Sequence, residues 1–134
     1  MKSCNGSLDT NILLRLITLD IPDQHKRVVK LLGKPNTSFL VTDAAFIETA
    51  FVLGRNYEMP REIIKNTFEA ILQHEELQCN AVIIRAALEY FVAHPALSFE
   101  DCCLAVYARC SRAEPLYTFD HKLANQLPEA KLLT

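Results

Sequence analysis

Short apolar runs alternate with longer stretches of helical period along the whole chain, and this alternation constrains the fold more than any other feature of the sequence. Buried strands that alternate with helices form βαβ units, whose strands run parallel and whose helices cover the sheet on both faces. After a first strand ending just before Asp9, Ile12, Leu13, Leu16 and Ile17 mark one helical face. Asp23 reads as the cap of a second helix, Gln24 to Leu32, which Gly33 stops. Phe39-Leu40-Val41 is a strand, followed by a helix from Ala44 to Tyr57 with Asp43 as its cap. Pro60 opens a helix over Arg61 to His74. Leu77-Gln78-Cys79 is a brief strand, and Asn80 caps a helix over Ala81 to His94. Ser98 and Asp101 have the spacing of a capping box for a helix reaching about Arg112. Leu116-Tyr117-Thr118, then a short helix from His121 to Leu127, then Lys131-Leu132-Leu133 complete the order. No repeat or linker interrupts it, so residues 1–134 are expected to form one α/β domain.

Four acids stand where strands give way to helices or within the first turns of helices: Asp9, Glu48, Asp101 and Asp120. In open parallel sheets the crevice beyond the carboxyl ends of the strands is where ligands bind. Carboxylates gathered there repel one another unless a cation lies between them, and all-oxygen donors suit Mg²⁺ or Mn²⁺. Each acid also has an ordinary structural reading. Asp9 and Asp120 occupy cap positions, Asp101 completes the capping box, and Glu48 can be a solvated rim carboxylate. Glu48 shares its helix face with Ala44, Ala45, Phe51 and Val52, while Asp43 competes with it as a capping residue. Glu100 points about 100° away from Asp101 around the helix and reads as solvated. Thr10, Asn11 and Thr118 are candidates for hydrogen bonds that orient the acids, a water or a phosphate. His121 is the histidine nearest the acids in sequence, and Lys122 and Arg15 are the cations best placed for a phosphate.

Composition narrows the setting. Fourteen basic and sixteen acidic residues give a formal net charge of −2, which excludes a strongly basic nucleic-acid coat but not a local basic rim. The five cysteines form no C-x-x-C pair or zinc spacing and read as buried free thiols in a reducing cytoplasm. No run approaches the ~20 apolar residues of a membrane span, and Met1 to Gly6 lacks the apolar core of a secretory signal.

Leu8-Asp9-Thr10-Asn11-Ile12-Leu13, Glu48 on the third helix, Phe99-Glu100-Asp101 and Leu116-Tyr117-Thr118-Phe119-Asp120 together resemble the PIN domain family. The likeness runs from Leu8 to Leu133 and is greatest to the small VapC-type ribonuclease toxins of toxin–antitoxin pairs. It implies a three-layer α/β/α sandwich with a five-stranded parallel sheet. It also implies Mg²⁺ or Mn²⁺ held by Asp9, Glu48, Asp101 and Asp120, hydrolysis of RNA phosphodiester bonds, an antitoxin partner and a homodimer. One departure is visible: the family's first strand is ordinarily apolar, whereas Cys4-Asn5-Gly6-Ser7 is polar and contains a strand-weakening glycine. Two other readings stand beside the toxin, a PIN-like nuclease of housekeeping RNA processing and a catalytically silent nucleic-acid-binding module. The presence of all four acids weighs against the silent module.

Overall fold

The structure, a computed structural model, describes residues 4–134; Met1, Lys2 and Ser3 of the polar N-terminal stretch lie outside the described residues. The chain divides into two compact units, the first ending at Asn80 and the second running from Ala81 to Thr134.

In the first unit the order is β1 (Gly6–Ser7), α1 (Thr10–Ile17), α2 (Pro22–Leu32), β2 (Phe39–Leu40), α3 (Asp43–Asn56), α4 (Arg61–Leu72) and β3 (Leu77–Gln78). The strands form a parallel sheet in the order β1-β2-β3. The polar first strand holds because backbone bonds extend beyond its two paired residues. Asn5 N–H donates to the Ser38 carbonyl at 2.7 Å and Leu8 N–H to the Leu40 carbonyl at 2.9 Å. The Asn5 side chain accepts from Ser38 N–H at 2.9 Å, so a residue of poor strand propensity pairs through its amide oxygen. Leu8 is thereby buried, and the chain turns out to solvent at Asp9.

The helices follow the apolar pattern, with some starts shifted by a residue. Pro22 is the first helical residue of α2, and the residue before it, Ile21, makes no side-chain cap. Asp23 lies within the first turn and pairs with Arg27 one turn on, at 2.6 Å. Thr42, not Asp43, caps α3: its hydroxyl oxygen accepts from Ala45 N–H at 3.2 Å. Gly33 ends α2 with right-handed backbone at φ −82°, so its value lies in space. A Cβ there would meet the Val29 carbonyl at 3.2 Å. The core of this unit includes Leu13, Phe46, Leu53, Ile64 and Phe68, all buried. Phe46 and Phe68 meet edge to face, with ring centroids 5.1 Å apart.

The second unit contains α5 (Ala81–Ala93), α6 (Phe99–Cys110), β4 (Leu116–Thr118), α7 (His121–Gln126) and β5 (Ala130–Leu132). Helices α5 and α6 pack as a pair through Ile84, Leu88 and Phe91 on one side and Phe99, Cys103 and Val106 on the other, all buried. Phe91 and Phe99 stack edge to face at 5.4 Å. Strands β4 and β5 form a two-stranded parallel sheet. Among the described residues the five expected strands are present and pair in parallel within each sheet, but they are distributed over a three-stranded and a two-stranded sheet, not a single five-stranded one. The strands are only two or three residues long, too short to carry much pairing on their own. Of the five thiols expected to be buried, Cys102 and Cys103 are, Cys4 and Cys79 are half-buried, and Cys110 is exposed. Among the described residues no helix is long and apolar enough to cross a membrane.

Phe46 is fully buried against Phe68, so Phe46→Ala should cost about 3–5 kcal/mol through lost transfer energy and a residual cavity, while Phe46→Leu should cost clearly less. Urea unfolding of the two variants checks this; equal losses would show that the site collapses around the smaller side chain.

Candidate functional site

Each of the four acids can be placed by the local chemistry of its own element. Asp9 follows β1 with extended backbone and caps α1, its Oδ1 accepting from Ile12 N–H at 3.0 Å. Helix α1 begins at the next residue, and the hydroxyl of Thr10 donates to Oε2 of Glu48 at 3.0 Å. This bond joins the start of α1 to the second turn of α3, two places that are 38 residues apart in sequence. Glu48 is exposed, and of the four residues read with it as one apolar face Ala44 and Phe51 are exposed, Val52 is half-buried and Ala45 is buried. The Arg55 guanidinium lies over the exposed Phe51 ring at 5.7 Å. Asp43 stands at the first helical position of α3, beside the capping residue.

In the second unit Asp101 completes the capping box. Ser98 Oγ accepts from Asp101 N–H at 3.1 Å, and Asp101 Oδ2 accepts from Ser98 N–H at 3.4 Å. Asp120 caps α7 through one oxygen, Oδ1, which accepts from Lys122 N–H at 2.8 Å and Leu123 N–H at 3.3 Å. Thr118 acts on the backbone of Asp120, its hydroxyl oxygen accepting from Asp120 N–H at 2.9 Å, and so fixes the turn from which that carboxylate projects. His121 and Lys122 are exposed.

A common pattern emerges. In all four acids one carboxylate oxygen is committed to a protein donor, and the other has no protein partner among the described residues. Capping therefore does not use up these groups. Among the described residues no three His, Cys, Asp or Glu side chains are gathered as a metal-binding group. The donor chemistry nevertheless fits a hard divalent cation: carboxylate oxygens only, with no thiolate or imidazole in the set.

Asp9 and Asn11 also line a cleft of about 820 Å³ formed by the end of β1, α1 and α2, together with Arg15, Gln24 and Arg27. Arg15 is not a free rim cation as its sequence position suggests. Its side chain is 13% exposed, its Nη1 donates to Asp20 Oδ1 at 2.6 Å, and its Nη2 reaches the Tyr57 hydroxyl at 3.5 Å. Tyr57 donates in turn to Asp20 Oδ2 at 2.6 Å, and the Thr18 hydroxyl donates to Asp20 Oδ1 at 2.7 Å. The hydrogen bonds from Tyr57 and Thr18, aided by the nearby Arg15 charge, hold the Asp20 carboxyl below its ordinary range. Arg27 and Gln24 were not singled out from the sequence. The only trace there is the Asp23/Arg27 pair, one turn apart on an amphipathic helix, which usually marks a solvated surface.

Two predictions come from this geometry. Asn caps a helix about as well as Asp, so Asp9→Asn and Asp120→Asn should unfold within a few tenths of a kcal/mol of the parent, whereas the alanine variants should lose about 1 kcal/mol each. Thermal or urea unfolding checks it; an asparagine variant as unstable as its alanine counterpart would mean that the negative charge itself holds the helix start. For Asp20 the folded-state pKa is lowered, so its contribution to stability is complete above the ordinary value of 3.8 and is lost as pH falls through the folded value. Asp20→Asn should therefore be less stable than the parent at neutral pH, and the gap should close in acid below 3.8. A gap that is constant with pH would assign the loss to geometry alone.

Among curated proteins none matches the chain. A family profile described as PIN domain matches residues 7–126, a span that includes Asp9, Glu48, Asp101 and Asp120 and crosses from the first unit into the second. That match covers most of the sequence, and the chain belongs to the PIN domain family, whose members are generally metal-dependent nucleases.

Proposed function

We propose that this protein is an Mg²⁺- or Mn²⁺-dependent endoribonuclease, working in the cytoplasm as the toxin of a type II toxin–antitoxin pair. In this reading residues 1–134 act as one PIN domain with Asp9, Glu48, Asp101 and Asp120 as metal ligands. The observation that carries it is the Thr10 to Glu48 hydrogen bond, which ties the helix opened by Asp9 to the helix that carries Glu48. Such a link between distant helices has no role in capping either of them.

The roles divide by chemistry. Asp9 and Asp120 hold their places through capping bonds and present their second oxygens outward. Thr10 orients the Glu48 carboxylate, and Thr118 fixes the turn that bears Asp120. Asn11 offers an amide to the cleft, suited to a phosphate oxygen or a water. Lys122 is exposed two residues from Asp120 and is the cation best placed for a neighbouring phosphate. A divalent cation, when bound, lowers the pKa of water and neutralises charge building on the scissile phosphate. Exposed apolar side chains, Phe51 on α3 and Leu19 after α1, favour a protein partner, which in this reading is a second copy of the chain and an antitoxin.

Purified protein should cleave a mixed RNA pool with Mg²⁺ or Mn²⁺ and stop when EDTA is added. Asp9→Asn or Asp101→Asn should abolish cleavage while the fold persists, and Thr10→Val should lower the rate by about 10–100-fold because Glu48 loses its orienting donor. Full activity in EDTA with 2′,3′-cyclic phosphate ends would overturn the proposal, since that product belongs to metal-free ribonucleases.

A further inference from the structure

The sheet formed by β4 and β5 has one face turned to solvent, and its side chains are unusual for such a face. Tyr117 is 59% exposed, Phe119 77% and Leu133 47%. Residues two apart on an extended chain share a face, so Tyr117 and Phe119 stand side by side immediately before Asp120. Lys131 is the register partner of Tyr117 across the sheet, is exposed, and makes no ion pair among the described residues. The ladder continues past the paired residues, Leu133 N–H donating to the Thr118 carbonyl at 2.8 Å, which keeps Leu133 alongside the aromatic pair. Lys122 lies two residues beyond Asp120, also exposed.

We infer that Tyr117 and Phe119 form a stacking platform for unpaired bases of an RNA strand, with Lys131 and Lys122 meeting its phosphates. The inference rests on the ribonuclease reading and adds to it the residues that would seat the bases of the strand. Two aromatic rings more than half exposed expose apolar surface to water without stabilising the core, and a base offers each ring a flat partner of matching polarity. A protein partner would cover such a face with aliphatic side chains or carboxylates. The uncompensated lysine on the face instead favours a polyanion with flat apolar groups, which describes a single strand and not a duplex, whose bases are stacked on one another. The position fits as well: Phe119 is covalently next to Asp120, so a base seated on it would bring its own phosphates close to that carboxylate.

The test uses the full chain in EDTA, so that cleavage does not interfere. Because the sequence contains no tryptophan, Phe119→Trp places a single indole on the platform while keeping an aromatic ring. Its emission should be quenched on adding an unstructured oligouridylate and left unchanged by a duplex RNA of the same length. Phe119→Ala and Tyr117→Ala should each weaken oligouridylate binding by about tenfold, in line with the loss of one base stack. Both residues are exposed, so the melting temperature should stay at the parent's value, and this is measured alongside.

Unchanged affinity in both alanine variants, or an indole blind to the oligonucleotide, overturns the inference, as does conversion of a dimer to a monomer by Phe119→Ala, which would make the face a protein interface. These results separate from the parent reading. Metal-dependent cleavage by the parent with unaltered kcat/KM in the alanine variants would sink the platform alone. Quenching of the indole by a strand that the parent never cleaves would sink the nuclease reading and keep the platform.

Discussion

The first N–H groups of a helix have no partner within the helix, and at three helix starts this chain meets that need with the help of a carboxylate. Asp9, Asp101 and Asp120 each give one oxygen to a helix start. The helix macrodipole favours a negative charge there, so an acid at such a position is stabilised before any ligand arrives. A carboxylate has two oxygens, and a cap occupies only one. Structural and chemical duties are therefore compatible on the same side chain, and the cap orients the free oxygen by fixing the bonded one. Glu48 lies outside this scheme. It is in the second turn of α3, where no orphan N–H is available, and takes its orientation from the Thr10 hydroxyl.

The alternation of strand and helix was legible because it rests on periodicity: apart from the polar first strand, the elements among the described residues fall where apolar spacing places them, with ends shifted by a residue or two. The capping box of Ser98 and Asp101 was equally legible, being a local pattern with a local geometry. What escaped was set by distance in sequence. Arg15 reads as a rim cation until Asp20, Tyr57 and Thr18 are seen around it, and Tyr57 is 42 residues away. The division of the strands into two sheets also escaped, because runs of two or three residues specify a strand without specifying its neighbour. Glu48 was read on an apolar face, of which Ala45 is buried while Ala44 and Phe51 are exposed. Its connection to Thr10 could not be read from either residue alone.

The first strand shows how a weak sequence signal can give a definite position. Cys4 to Ser7 lacks the apolar run of a buried strand, and only Gly6 and Ser7 pair formally with β2. Bonds at Asn5 and Leu8 lengthen the ladder on both sides, and the Asn5 amide captures Ser38 N–H. Leu8 then points inward and is buried. With that residue fixed, alternation along the extended chain sends Asp9 outward, so polar residues at the strand's start place the acid at its end.

A comparable lock governs the second unit and centres on Glu129. Its backbone carbonyl accepts from Leu116 N–H at 2.8 Å, tying the start of β5 to the start of β4. Its side chain is buried and accepts from the Tyr90 hydroxyl of α5 at 2.8 Å, while the other oxygen, Oε2, has no partner among the described residues. An unsatisfied buried carboxylate oxygen costs about 1–3 kcal/mol, so the arrangement is held by its surroundings. Arg109 of α6 provides part of that support: it donates to the Tyr90 hydroxyl at 2.6 Å and lies over the Tyr90 ring at 5.3 Å. Burial, followed by the bond to Glu129, pushes the Tyr90 hydroxyl above its ordinary pKa, which keeps it a donor. One tyrosine thus links α5 and α6 to the residue from which both strands of the small sheet are hung. The start of the small sheet that carries Tyr117 and leads to Asp120 is thus held in part by that half-buried hydroxyl.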